Sequence, residues 1–352
     1  MASNAGLIEA QYAMNEFAAT LRVVDEHALQ YFDGFHDRHD ASLAALSLPV
    51  LEIEPACPPS APGSHAGCGW HADVEGQPVC VAATPAGYAV WSATASRFYV
   101  WSAARRLLRD LWLDARLRRS PVAFVHASTV DDGDNLVLFV GDKRAGKTTL
   151  MLDATLRHGW RIVSNDTLLV YEAEQGYAVT GVPTYAGIRR DVADRFGALL
   201  RARIDGDPAN LGSYRHWQTT PVPAGREDKL YLSYGAISRP VFPAIPLSQR
   251  TVTVVAIGFA PRAGEAGLRQ GEDPLALLSA NRKQFRFSLD VLARPQGPVD
   301  TDPSCLRRLA RSARAASFAH HGDSSPVLDM VASDAAPAGP AAVRAGHLSG
   351  KR

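Results

Sequence analysis

Eight consecutive residues carry the most legible chemistry in this chain. Gly141-Asp142-Lys143-Arg144-Ala145-Gly146-Lys147-Thr148 fits G-x-x-x-x-G-K-[ST] without a mismatch, with Thr149 directly after it. Glycine at both ends lets a loop fold tightly enough for successive N–H groups to converge on phosphate oxygens. A helix starting at the same point adds the partial positive charge of its N-terminus. In that setting Lys147 reaches the β/γ-phosphates and the Thr148 hydroxyl completes a Mg²⁺ shell. The surroundings suit the motif. An uninterrupted apolar run, "NLVLFV" (135–140), reads as a strand buried on both faces, and 147–158 reads as a helix. Asp142, Lys143 and Arg144 are unusually charged for such a loop. Either they decorate a solvent-facing turn or one of the cations touches phosphate or substrate.

An acid follows closely. Gly159 ends the helix in the usual C-terminal position, 160–163 make a strand, and that strand finishes at Ser164-Asn165-Asp166. Asp166 lies 19 residues after Lys147, with one helix between them. In an open α/β sheet the C-terminal ends of strands line the ligand crevice, which places Asp166 near the phosphates. A carboxylate there can hold Mg²⁺ or accept the proton of an attacking hydroxyl. Asn165 can ligate a metal or orient a hydroxyl, but it cannot act as a base.

The elements that must position these groups can be read from the rest of the chain. Of 352 residues 46% are hydrophobic and 21% charged, a globular composition with room for a sizeable core. Thirty-seven basic against 36 acidic side chains give a net charge of +1, so no global field attracts nucleic acid or an anionic membrane. The N-terminus lacks the basic and apolar regions of a signal peptide, and no run approaches the ~18–20 apolar residues of a spanning helix. Four cysteines in a chain this long do not look like a disulfide framework. The expectation is a soluble, reduced, cytoplasmic protein with no nucleic-acid or membrane partner; a homo-oligomer is compatible with it.

Helical spacing over 1–45 predicts one or two amphipathic helices, and "PACPPSAPGSHAGCG" (55–69) reads as a connector. "PVCVAA", "GYAVWSA" and "RFYVWSA" predict a small antiparallel meander. The run 103–120 predicts a helix with its arginines on a solvated face. Further strands are expected at 160–164, 168–172, 229–234 and 251–259, with helices at 189–203 and 274–281. Beyond about 322, small residues and proline predict a disordered tail. The organisation expected is an N-terminal helical and antiparallel-strand region (1–120), an α/β domain around the loop (121–322) and a tail (323–352).

The segment "FVHASTVDDGDNLVLFVGDKRAGKTTLMLDATLRHGWRIVSNDTLLV" resembles the HPr kinase/phosphorylase family and its looser bacterial relatives. It is more distantly similar to the ATP-dependent phosphoenolpyruvate carboxykinases. The counterparts of the family motifs are His126-Ala127-Ser128, Gly141–Thr148 and Asn165-Asp166, and "VTGVPTYAGIRR" (179–190) looks like the stretch that follows. The likeness covers about 122–190. It implies a P-loop core with a mixed sheet, a small α+β region before it, and transfer of a phosphoryl group from ATP or GTP, with Mg²⁺, to a hydroxyl. That hydroxyl belongs to a peptide, a protein or a small metabolite. In this resemblance Lys147 and the loop residues 141–149 hold the nucleotide and Thr148 and Asp166 the metal. His126 contacts phosphate or polarises the acceptor, unless it is a buried core histidine. The departure is Asn165, which stands where the family has its catalytic base. Two alternatives follow: a degenerate nucleotide-binding sensor that transfers nothing, and a small-molecule kinase of the shikimate type, although those begin near their phosphate loop.

Other groups are weaker. Glu172 and Glu174 are candidates for a metal-binding glutamate that the family carries downstream. Cys57, His65, Cys68, His71 and Cys80 cluster without a paired zinc pattern, and His36 and His39 with Asp33, Asp37 and Asp40 form a polar turn. Arg189, Arg190 and "NRKQFRF" (281–287) either clamp a phosphoryl group or, in the second case, form a half-buried strand with Arg282, Gln284 and Arg286 outward. Lys229 is a weak candidate in a charged turn.

Overall fold

The computed structural model describes residues 7–15, 17–39, 49–54, 69–72, 78–92, 97–174, 176–204, 229–235, 237–259, 267–287, 299, 301–320 and 322–335. The N-terminal part runs β1 (Ile8–Met14), β2 (Phe17–Val23), α1 (Glu26–Asp33), β3 (Asp37–His39), β4 (Val50–Ile53), β5 (Gly69–Ala72), β6 (Pro78–Thr84), β7 (Gly87–Trp91) and α2 (Arg97–Leu117). Its strands form one mixed sheet in the order β3-β1-β2-β4-β7-β6-β5. The helices expected over 1–45 are therefore corrected to a hairpin, one helix and a further strand. Ala19, Leu21 and Val23 are buried at a period of two, and Asn15 takes the left-handed φ of 53° that a tight hairpin turn accepts. The third strand of the expected meander, "RFYVWSA", is instead the opening of α2, because Val100, Ala103, Ala104, Leu107 and Leu108 continue one helical stripe across it.

The arginines of α2 overturn a second expectation. Arg105, Arg109 and Arg116 do not lie on a solvated face, whereas Arg118 and Arg119 of the same run are exposed. The Arg105 guanidinium lies 4.7 Å from the Phe35 ring and 4.8 Å from that of Tyr185, and Arg109 lies 5.3 Å from Phe285 while bonded to the buried Asp110. Arg116 lies 4.2 Å from Tyr171 and donates to the Glu172 carbonyl. Weakly hydrated guanidinium can be buried against rings in this way, which lets one helix touch two sheets without a purely apolar surface.

The remainder runs β8 (Val122–Val125), β9 (Ala127–Asp131), β10 (Asn135–Val140), α3 (Lys147–His158), β11 (Arg161–Ser164), β12 (Leu168–Ala173), β13 (Gly176–Gly181), β14 (Ala186–Arg189), α4 (Arg190–Arg195) and α5 (Gly197–Ile204). It continues with β15 (Lys229–Leu232), β16 (Ile245–Pro246), β17 (Thr251–Phe259), β18 (Gly267–Gln270), α6 (Pro274–Ala280), β19 (Arg282–Lys283), α7 (Pro303–Arg311), β20 (Ala313–His320) and α8 (Ser325–Ala335). A six-stranded mixed sheet has the order β11-β9-β10-β17-β20-β18, a five-stranded one the order β16-β13-β12-β8-β19, and β14 pairs with β15. One face of the six-stranded sheet packs on α3, α4 and α8 through Phe139, Met151, Val255 and Val331. The other packs through Leu136, Leu138 and Val254 on the five-stranded sheet and on α6 and α7. The outer face of the five-stranded sheet meets Trp112 and Leu113 of α2. The architecture is α/β with mixed sheets.

Two of the passages of the chain from one sheet to the other fall at the same level. Residues 122–131 leave the five-stranded sheet after Val125 and enter the other at Ala127, so His126 lies between sheets. Residues 161–173 pass the opposite way, with Asn165, Asp166 and Thr167 at the gap.

The first part of the expected tail is ordered. Residues 325–335 form α8, whose Val327 and Val331 are fully buried, so apolar positions four apart sufficed where mean composition suggested disorder. Residues 336–352 lie outside the described residues, as do Cys57, His65, Cys68 and Asp40 of the weaker candidates. Cys80 is disulfide-bonded, which corrects the expectation of reduced thiols; Cys305 is free and buried. No helix among the described residues is long and apolar enough to cross a membrane. Asp33 pairs with Arg38 and Asp37 with Arg239.

His36 is 1% exposed, stacks on Phe32 and meets Tyr12 edge-on, with no hydrogen-bond partner for either ring nitrogen among the described residues. Burial, with Arg105 nearby, pushes its imidazole down to about 3. Below its ordinary pKa the unfolded chain takes up a proton that the folded protein refuses, so this contribution to stability is lost as pH falls from about 6.5 toward 3. Acidifying from pH 7 to about 4.5 is expected to cost about 2–3 kcal/mol through this group alone. His36→Phe should remove that part of the pH dependence in urea unfolding, and an unchanged pH dependence would refute the assignment.

Candidate functional site

Four parallel strands, β11, β10, β17 and β20, end on one side of the six-stranded sheet, and a cleft of about 730 Å³ opens there. The loop 141–146 leaves the end of β10. Gly141 and Gly146 have φ of 145° and 100°, and Arg144 has 71°, so the backbone turns in a region where glycine is at ease and arginine is not. The Gly141 N–H donates to Asn281 Oδ1 at 3.0 Å. Lys147, the first residue of α3, folds back so that Nζ donates to the carbonyls of Gly141 at 2.7 Å and Asp142 at 2.8 Å. Burial holds its ammonium pKa below the ordinary lysine value, against the attraction of Asp166 and Asp142.

These two passages, with Lys283 of β19, deliver further groups. The Thr148 hydroxyl donates to Asn165 Oδ1 at 2.9 Å, and the Ser128 hydroxyl to the Asn165 carbonyl at 2.7 Å. His126 Nε2 stands 3.3 Å from Asp166 Oδ1, and the Lys283 ammonium donates to Asp166 Oδ2 and to Thr167 Oγ1. Burial alone would raise the Asp166 pKa, but the His126 hydrogen bond and the Lys283 charge outweigh it and hold the carboxyl well below the usual carboxylate range. The cleft is also lined by Thr184, Tyr185, Gly187, Arg189 and Arg195. Tyr185 donates to the Tyr31 hydroxyl of α1 at 2.6 Å, so the N-terminal part holds one wall of the cleft.

The cleft thus gathers His126, Lys143, Arg144, Gly146, Lys147, Thr148, Thr149, Asn165 and Asp166; Gly141 and Asp142 contribute their carbonyls to Lys147 and Ala145 its own to His320. Of the other candidates, Arg189 lines the cleft paired with Asp191, and Arg190 does not line it. Glu172 and Glu174 are exposed, toward the end of β12 away from Asp166, which removes them as metal ligands here. Arg282, Gln284 and Arg286 face outward as the strand reading of 281–287 required, and Lys229 opens β15 opposite Arg189.

Three contributors were not singled out from sequence. Lys283 shares the inward side of the alternating run with Phe285, and a lysine at an inward position is the signal that could have found it. Asn281 accepts from Gly141 through its side chain and from His126 N–H, at 2.8 Å, through its carbonyl. His320 lies 175 residues from the alanine it touches, and no local pattern marks it. Away from the cleft, Asp153, His158 and Asp323 approach one another, but Asp153 is already engaged by Arg157 and Ser324. No family model and no curated protein sequence matches the chain.

A Cβ on Gly146 would stand 2.3 Å from His320 Cε1, at a φ that side chains rarely adopt. Gly146→Ala is expected to lower stability in denaturant unfolding by about 1–3 kcal/mol. Removing the obstructing ring should recover part of this, so Gly146→Ala with His320→Ala should cost less than the two single changes added. Strict additivity would sink the steric account.

Proposed function

We propose that the protein is a Mg²⁺-dependent phosphotransferase that moves the terminal phosphoryl group of ATP or GTP to a hydroxyl acceptor. The observation that carries the reading is Lys147 Nζ resting on the Gly141 and Asp142 carbonyls, in a glycine-ended loop that faces the His126–Asp166 pair across one cleft. An ammonium with lowered pKa held on loop carbonyls is poised to exchange them for β/γ-phosphate oxygens. The donor set fits the metal. The Thr148 hydroxyl donates to Asn165 and so keeps its oxygen lone pairs for a hard cation, and Asp166 is kept ionised. Bound there, the metal would neutralise charge on the phosphates.

The proton assignment follows from the same electrostatics. A carboxylate held far below neutrality is a poor general base, and the Asn165 amide is none. Asp166 therefore orients His126 by accepting from Nε2, which leaves the Nδ1 lone pair for the acceptor proton. The acceptor oxygen forms a bond to the terminal phosphorus, the bond to the bridging oxygen breaks, the nucleoside diphosphate leaves and the hydroxyl proton passes to His126. Asn165 holds Thr148 rather than replacing the base.

Lys147→Ala is expected to abolish binding of labelled ATP and any transfer from it; unchanged ATP affinity would overturn the nucleotide reading. His126→Asn should keep ATP affinity within about threefold and slow transfer by about 10²–10⁴-fold. A second reading, a nucleotide sensor without transfer, is favoured by Asn165 itself. Asn165→Asp discriminates: a gain of ATP turnover supports a weakened kinase, and unchanged, absent turnover with intact binding supports the sensor.

A further inference from the structure

We infer that Arg195 is the group that grips the terminal phosphoryl of the nucleotide, seated for that task by the His320–Gly322 turn; this rests on the nucleotide reading of the 141–148 loop. Arg195 ends α4 and lines the same cleft as the loop. Its Nη1 lies 2.0 Å from where a Cβ of Gly322 would stand, and Gly322 has a φ of 95°. That φ is one glycine takes at ease, and the guanidinium lies directly against the turn.

The turn is fastened to the loop. The Gly322 N–H donates to His320 Nδ1 at 2.7 Å, so that nitrogen is the acceptor and the ring proton is on Nε2. Nε2 in turn donates to the Ala145 carbonyl at 2.8 Å, and the same ring covers Gly146. Arg195 thus lies against a turn that one imidazole fastens to the loop, and its guanidinium is 5.9 Å from the Phe196 ring centroid. The inner phosphates of a nucleotide cradled by a glycine loop are enclosed by that loop's own amides. What remains to face α4 is the terminal group, and the planar fork of arginine matches its oxygens in a bidentate way.

The test compares affinities for ADP and for a β,γ-imido analogue of ATP, each with Mg²⁺, in the full chain by calorimetry. The unmodified protein should prefer the analogue, and Arg195→Ala should weaken the analogue about ten- to hundredfold while leaving ADP within about threefold. Arg195→Lys should recover only part of the preference, since an ammonium lacks the fork. Gly322→Ala, which displaces the guanidinium without removing it, should reproduce the selective loss. Equal weakening of both ligands, or of neither, in Arg195→Ala overturns the inference. Failure of the unmodified protein to bind either ligand would instead remove the nucleotide reading beneath it.

Discussion

A chain that leaves one sheet for another must find new partners for the backbone groups at the gap, and this need organises the cleft. At His126 and at Asn165–Thr167 neither ladder continues, and buried N–H and C=O groups cannot be left unpaired. His126 N–H is taken by the Asn281 carbonyl, and the Asn165 carbonyl by the Ser128 hydroxyl. The Ser164 hydroxyl takes the Ala127 carbonyl at 2.9 Å, and the Thr167 carbonyl takes Val182 N–H at 3.0 Å. Because both gaps fall at one level, His126 and Asp166 meet, although 40 residues separate them. Asn281 then joins this junction to the start of the glycine loop, so its geometry and that of the gap are not independent.

The N-terminal part is not an appendage to this arrangement. α2 buries one half of its length on the seven-stranded sheet and the other on the five-stranded sheet. Its arginines reach rings on both sides, and Arg105 sits over Tyr185, a residue of the cleft wall. The Tyr31–Tyr185 hydrogen bond is a second connection from the N-terminal helix to that wall. Displacement of α1 would therefore be felt at that wall of the cleft.

Local signals in the sequence were legible where the physics is local. The strand over 135–140, the helix over 147–158, its glycine end and the strand over 251–259 stand where patterning put them. Patterning failed where two periods competed. Residues 17–23 satisfy both a helical and a strand spacing, and pairing with 8–14 decided for the strand. It failed again in α2, where arginine is a poor guide to exposure once aromatic faces are available.

By itself, then, the sequence determined the loop at 141–148, the strand and helix that flank it, and one acid at the end of the next strand. Those features depend on neighbours a few residues away, through glycine torsions, hydrophobic period and helix ends. Tertiary structure alone decided what surrounds them: that Lys283 and His126 share Asp166, that Asn165 holds Thr148, and that His320 fastens the Gly322 turn to Ala145. Such contacts are chosen by which strand ends the sheets bring together, and no short-range regularity in the chain encodes that choice.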